Sequence, residues 1–235
     1  MEDKIKIPRE DTARTRKSLL DAACEIFAQK GYRDTTIAEI SGRAGTNIAA
    51  VNYHFGNKET LYVEAWRCAF HESLKAHPPD GGVSDDAPPE ERLQAHVAAI
   101  LHRLAEKNNK EFWFVTREFA NPTGLLDEVM RKEIYPLQKR TERLVRELLG
   151  PLVSDIDVQF CETSIISQCI NPMVVGRKSQ GKDTGKGGPP EIKDIAAYAD
   201  HVVKFSLAGI QAIRKSAESK AGHTIAIKSS KDKNR

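Results

Sequence analysis

Apolar residues return at intervals of three and four along most of this 235-residue chain. Side chains at that spacing share one face of a 3.6-residue helix, so the pattern predicts helices almost from end to end. Leu19, Leu20, Ala23, Ile26 and Phe27 form such a stripe in a helix expected from about Thr12 to Lys30, where Gly31 ends it. Ile37, Ile40 and Ala44 line a second, short helix, and Val51 and Phe55 make an i, i+4 pair on a third. A fourth, over about residues 57–76, carries Leu61, Ala65, Trp66, Cys68 and Ala69. HPPDGGVSDDAPPE, residues 77–90, is too rich in Pro and Gly to be helical throughout and reads as a loop between domains. From Pro89 a helix places Leu93, Val97, Ile100, Leu101 and Leu104 on one face.

EFWFVTREFANP, residues 111–122, is the most aromatic segment and closes at Asn121-Pro122. A short helix is expected around residues 125–132. Pro136 suits the first turn of another, which continues through Leu137, Leu144, Val145 and Leu148 to Gly150-Pro151. Residues 155–175 are nearly uncharged after Glu162 and apolar on more than one side, as in a helix covered all round. A loop over 176–190, a last apolar-striped helix over 191–216 and a polar, basic tail over 217–235, expected to be disordered, complete the chain. No strand-like alternation or hairpin signal competes, so the fold class is all-α.

Residues 36–62 carry the most specific signals. Thr36 and Glu39 have the spacing of a capping box. Gly45 supplies a turn position, and Asn47 is a natural N-cap for the next helix. Asn57 caps a third helix and sets Lys58 at its N-terminus, where backbone N–H groups and a cation together suit a phosphate. Two short helices joined at a glycine are the plan of a helix-turn-helix, which lays one helix in the DNA major groove.

Charge alters this picture little. The net charge is +3, and residues 1–77 hold 12 Lys/Arg against 11 Asp/Glu, so the placement of charge has to do the work. Lys4, Lys6, Arg9, Arg14, Arg16 and Lys17 crowd the N-terminal arm and the first turns of the first helix. They read equally as an arm tracking phosphates or entering a minor groove, and as a solvated terminus. Cys24, Cys68, Cys161 and Cys169 show no C-x-x-C and no His partner at ligand spacing, so no metal or cofactor is expected. They read as reduced, mostly buried thiols, or as a redox sensor using Cys161 and Cys169. No Gly-rich phosphate loop, H-E-x-x-H or G-x-S-x-G is present, which argues against an enzyme. No apolar run reaches the length of a membrane span, and MEDKIKIPRE lacks a signal peptide's apolar stretch; no membrane association and a cytoplasmic protein are expected.

Together with TRKSLLDAACEIFAQKGYRDTT (residues 15–36), the helix-turn-helix resembles the N-terminal domain of TetR-family transcriptional regulators. Phe27, Gly31-Tyr32, Thr35-Thr36, Ile37-Ala38, Ala44-Gly45, Tyr53-His54-Phe55, Lys58-Glu59 and Leu61 carry the resemblance. AGTNIAAVNYHFGNKETLY is similar to the subgroup whose C-terminal domain is of the YbiH/CerR type, with departures from the usual pattern at Thr46 and Asn52. The resemblance implies a three-helix DNA-binding domain over 1–56, a connecting helix over 57–76 and a larger helical ligand-binding and dimerisation domain over 77–216. It further implies a homodimer, joined through the two long apolar helices near the C-terminus, that binds a palindromic operator in double-stranded DNA. A small-molecule effector would release it. Completion of the core within one chain is the other use for those two helices.

The expected DNA contacts are Thr36, Asn47, Ile48, Ala49, Ala50, Asn52, Tyr53, His54 and Lys58. Asn52 suits the paired hydrogen bonds of an amide with adenine, and Ile48, Ala49 and Ala50 offer methyl contact with thymine. Tyr53, His54, Lys58 and Thr36 suit phosphates, with a packed surface histidine the other reading of His54. The candidate effector pocket takes Phe112, Trp113, Phe114, Arg117 and Phe119, with Trp66, His96, His102 and Met130 as walls; for any one of these residues a place in the core is the plainer reading. A DNA-bound protein that recruits a protein partner and senses no ligand is the alternative function.

Overall fold

The structure, a computed structural model, describes residues 9–179 and 192–232. Lys4 and Lys6 of the basic arm, and residues 180–190 of the expected loop, lie outside the described residues. Within them the periodic pattern becomes α1 (Arg9–Lys30), α2 (Ile37–Arg43), α3 (Ile48–Phe55), α4 (Lys58–Ala76), α5 (Pro89–Ala105), α6 (Lys110–Ala120), α7 (Asp127–Leu149), α8 (Asp155–Ser179) and α9 (Ile195–Asp232). The described residues contain no strand, and none of their helices is long and apolar enough to cross a membrane.

The chain divides into two compact units, and the division departs from the expected boundaries. Lys107–Glu133 joins Met1–Ala76 in the first unit, while His77–Glu106 and Ile134–Arg235 form the second. In the first unit α1 is the platform: it packs on α2, α3, α4 and α6. Its stripe is buried at Leu19, Ala23, Cys24 and Phe27, and the core continues through Ile40, Val51, Leu61, Tyr62, Ala65 and Trp66. Helix α6 brings Phe114 into this core, against Phe27 and Tyr62. The aromatic segment thus serves the core beneath the helix-turn-helix. Its amphipathic pattern foretold a buried face, but periodicity does not say which neighbour covers that face.

In the second unit α5, α8 and α9 pack on one another. Leu93, Val97 and Leu101 meet a core that includes Val158, Ile165, Cys169, Val202 and Val203. The Pro/Gly segment before α5 is more than a connector. Arg92 Nε donates to the Ala87 carbonyl at 3.0 Å, and Arg140 Nη2 donates to Asp85 at 2.7 Å. Gly81, at φ +59°, lies so close to α5 that a Cβ there would meet the Ala95 carbonyl oxygen at 2.9 Å.

Two other expectations are corrected. Pro136 does not open a helix; it sits inside the continuous α7. Proline costs that helix one backbone N–H, but Pro136 is exposed, so water can reach the carbonyl left without a partner. Beyond Ser216, where a disordered tail was expected, α9 continues to Asp232. SAESKA (residues 216–221) holds two Ala with one Glu and one Lys, good helix formers that propagate a helix already nucleated by the packed turns before them.

Candidate DNA interface

Local chemistry sets the two short helices. Thr36 is the N-cap of α2: its hydroxyl accepts from the Glu39 N–H at 3.2 Å while its own N–H donates to Glu39 Oε2 at 2.9 Å. Lys30 pairs with the same carboxylate. The hydrogen bonds from Lys30 and then Thr36 hold the Glu39 carboxyl down to about 2. Helix α2 ends where Gly45 takes φ +67°, with the Thr46 N–H on the Ser41 carbonyl at 2.9 Å and the Gly45 N–H on the Gly42 carbonyl at 3.2 Å. That paired closure is the Schellman motif, and it needs a residue tolerant of the left-handed region. Asn47 then caps α3 through the Ala50 N–H at 3.0 Å, and Asn57 caps α4 through the Thr60 N–H at 2.8 Å.

Val51 and Phe55, 0% and 5% exposed, anchor α3 and thereby turn its other side outward. Asn47, Ile48, Ala49, Asn52 and Tyr53 are exposed, and Ala50 and His54 are half-buried on the flank. Tyr53 is 78% and Ile48 51% exposed, a cost in solvated apolar surface that the folded chain alone does not repay. Tyr53 and His54 meet edge to face with ring centroids 5.0 Å apart. The expected base-reading residues therefore share one accessible face.

The expected phosphate contacts differ among themselves. Lys58 begins α4 with its ammonium 4.3 Å from the Tyr32 ring centroid, while the Tyr32 hydroxyl donates to Glu59 at 2.8 Å. Burial, then that carboxylate, pushes the Tyr32 hydroxyl up to about 12, so it remains a donor at neutral pH. The Thr36 hydroxyl donates to Glu39 Oε2 at 3.1 Å, which occupies the proton a phosphate would need. Of the basic arm, Arg14 pairs with Asp11 at 2.7 Å and Lys17 with Asp21 at 2.6 Å. Arg16 pairs with Glu64 and lies 4.8 Å from the Phe55 ring centroid, so it packs behind α3. Arg43, which the pattern did not single out, is exposed at the end of α2 and pairs with Glu25.

The residues considered for an effector pocket fall in both units. In the first, Trp66 is fully buried and stacks on Phe70 at 5.0 Å; Phe112 and Phe114 are buried. Arg117 Nε donates to the Ala28 carbonyl at 2.8 Å and its Nη2 to the Gln29 carbonyl, binding α6 to the C-terminal end of α1. A cation there satisfies carbonyls that the helix leaves open and meets the negative end of its dipole. Beside it Glu118 accepts from the Tyr62 hydroxyl at 3.0 Å and from the Thr123 and Gly124 N–H groups at 2.7 and 3.1 Å. Trp113 and Phe119 are exposed, and Met130 is half-buried. At these positions Trp66, Phe112 and Phe114 are buried within the first unit, and Arg117 caps a helix.

In the second unit His102 is exposed and His96 is buried. His96 Nδ1 lies 2.9 Å from the Pro79 carbonyl, which can only accept, so that nitrogen carries the proton; Nε2 lies 3.0 Å from the Thr141 hydroxyl. Burial lowers the His96 pKa and keeps the ring neutral. Around it is a cavity of about 280 Å³ lined also by Arg92, Arg140, Arg143 and Glu147. The spacing of charges in the sequence did not reveal it, because its walls come from the 77–88 segment, α5 and α7.

Two family profiles match the chain. The N-terminal one, described as bacterial regulatory proteins of the tetR family, covers residues 19–65. The other, the C-terminal domain of the HTH-type transcriptional dual regulator CecR, covers residues 89–210. The chain is 30% identical over 147 residues to the CecR regulator of Shigella flexneri, covering 57% of this chain and 65% of that protein. It is 34% identical over 58 residues to the AcrR regulator of the same organism, covering 25% and 27%. The chain thus spans less than two thirds of either curated relative. Among solved structures, a TetR-like regulator from Rhodococcus sp. RHA1 superposes with TM-score 0.62 at 16% identity, covering 88% of this chain and 99% of that one. The fatty acid degradation regulator FadR from Bacillus halodurans gives TM-score 0.63 at 17% identity over 83% and 95%. These two likenesses concern the fold.

Proposed function

The chain belongs to the TetR family of bacterial regulatory proteins, and on that premise we propose that it is a dimeric, sequence-specific transcriptional repressor released from a palindromic operator by a small-molecule effector. The observation that carries the DNA-binding half is the outer face of α3, where Asn47, Ile48, Ala49, Asn52 and Tyr53 stand in solvent while Val51 and Phe55 fix the helix from behind. In this reading Asn52 bonds an adenine edge and Ile48, Ala49 and Ala50 meet thymine methyls. Tyr53, His54 and Lys58 hold phosphates, as do the N–H groups opening α2 and α4.

Dimerisation is supported by apolar side chains in the second unit that the chain leaves uncovered. Ile156 and Phe160, 56% and 61% exposed, lie one turn apart on α8, and Phe205 on α9 is 64% exposed. Pairing α8 and α9 with their copies would remove that surface from water and present two reading helices to two half-sites. The effector half is supported by the cavity beside His96. Its charged rim suits a small polar or zwitterionic compound, whereas the recruiting alternative calls for a packed second unit without a cavity. An effector that binds one arrangement of the protein a hundredfold better lowers operator occupancy by up to that factor.

Fluorescence anisotropy with promoter DNA flanking the protein's own gene tests this reading, repeated against a panel of polar, zwitterionic and planar compounds. Tight, salt-sensitive binding released by one compound class is expected. Binding that no compound alters would transfer the weight to the recruiting reading, and absence of any specific site would remove the DNA-binding one.

A further inference from the structure

The cavity beside His96 lies wholly within the second unit, and its walls carry three guanidinium groups and three carboxylates. Most of these charges already answer one another. Arg92 pairs with Glu147 and donates from Nε to the Ala87 carbonyl at 3.0 Å. Arg140 pairs with Asp85 at 2.7 Å and reaches Asp80 at 3.9 Å. Asp80 also accepts from the Gly82 N–H at 2.9 Å, so each carboxylate has a donor. Arg143 is the exception. Its Nε donates to the Lys139 carbonyl at 3.3 Å, and its two terminal amino groups meet no acceptor among the described residues.

The remaining walls ask for no charge. Leu144 and Val83 line the cavity with hydrocarbon. The His96 ring and the Thr141 hydroxyl, both buried, bond each other at 3.0 Å.

We propose that this cavity binds a small monocarboxylate, its two oxygens on the open edge of the Arg143 guanidinium and its hydrocarbon against Leu144 and Val83. The guanidinium edge presents two parallel donors, the spacing that a carboxylate accepts in pairs. One open cation matches one negative charge. A phosphate would set a second negative charge beside Asp80, Asp85 and Glu147, where like charges repel. A ligand ammonium finds no carboxylate to spare and would have to displace an arginine. Size narrows the class further. A dry cavity of about 150 Å³ holds benzene, so about 280 Å³ holds on the order of ten non-hydrogen atoms. A short aliphatic acid or a single-ring acid fits that space. The effector role of such an acid rests on the repressor reading; its binding at Arg143 does not.

Isothermal titration calorimetry on the full-length chain tests the site with butyrate and benzoate. Butyramide, benzamide, butylamine, benzylamine and inorganic phosphate are the comparisons. Both acids should bind, and each comparison compound should bind about tenfold more weakly or not at all. Arg143→Ala should weaken the acids on the order of tenfold to a hundredfold. Its circular dichroism should stay native, because the side chain is exposed and holds a single carbonyl. Arg143→Lys should recover part of the loss, a point charge replacing the fork. Arg146→Ala removes an arginine of the same helix that pairs with Asp155 outside the cavity, and should bind the acids as the parent chain does. Acid binding that survives in Arg143→Ala, amides or amines that bind as tightly as the acids, or a preference for phosphate overturns the assignment. So does a natively folded parent chain that takes up neither acid at millimolar concentration. If an acid binds through Arg143 and operator affinity does not change, the effector role falls while the site stands. If the chain binds no operator, the repressor reading fails and the calorimetry still decides the site.

Discussion

Helices α3 and α6 begin alike and end in opposite roles. Each is short, each opens on an asparagine whose side chain accepts a backbone N–H three residues on, and each carries exposed aromatic surface. Yet α3 spends two anchors, Val51 and Phe55, and leaves the rest of its surface in water, whereas α6 buries Phe112, Phe114, Glu111 and Glu118. The difference lies in what each helix packs against. Helix α3 meets the core with one narrow edge, while α6 is covered by both α1 and α4. A candidate site read from residue types alone cannot tell these cases apart, because an aromatic beside a charged group suits a pocket and a capped core helix equally.

Truncating Phe114 to Ala should break the comparison hardest. Fully buried against Phe27 and Tyr62, it should cost about 3–5 kcal/mol by urea denaturation. A loss below about 1 kcal/mol would show that α6 is not core. Asn52→Ala should do the reverse, leaving stability within about 0.5 kcal/mol. Operator affinity should meanwhile fall by about 1–3 kcal/mol, mainly through relaxed preference at one base pair in a panel of mutated sites.

Arg117→Ala should lower stability by about 1–2 kcal/mol, since two carbonyls at the end of α1 lose a charged donor. Lysine should restore only part of this, lacking the guanidinium fork. An Arg117→Ala protein of unchanged stability but altered effector response would return Arg117 to the pocket.

The smallest effect is a pH dependence that sharpens the contrast between an exposed and a buried acid–base group. His96 has a lowered folded pKa, so the unfolded chain binds the proton more readily. Its contribution to stability is present above the unfolded value near 6.5 and is lost as pH falls through the folded one. Glu39 is also lowered, to about 2, so its capping contribution is present above about 4.5 and lost only as pH falls toward 2. Thermal melts between pH 7 and 5 should therefore soften in the parent chain and less so in His96→Gln, while Glu39→Gln changes nothing in that window.

Most of the reading unit was legible because its determinants are local. Thr36 with Glu39, Gly45, Asn47 and Asn57 act within three to five residues of themselves, so spacing alone states the geometry they enforce. The fate of Pro136 was less legible. Spacing marks a proline as a start or a break, but whether an interior one is tolerated depends on solvent reaching the carbonyl it leaves open.

The sequence by itself determined the helical class, the boundaries of α2, α3 and α4, and which side of α3 faces away from the core, because caps and periodicity are short-range. Only the tertiary structure decided that residues 107–133 join the DNA-binding unit and that Arg117 closes the end of α1. Those outcomes depend on which buried faces choose each other, and hydrophobic burial, being non-directional, leaves no mark of its partner in the pattern.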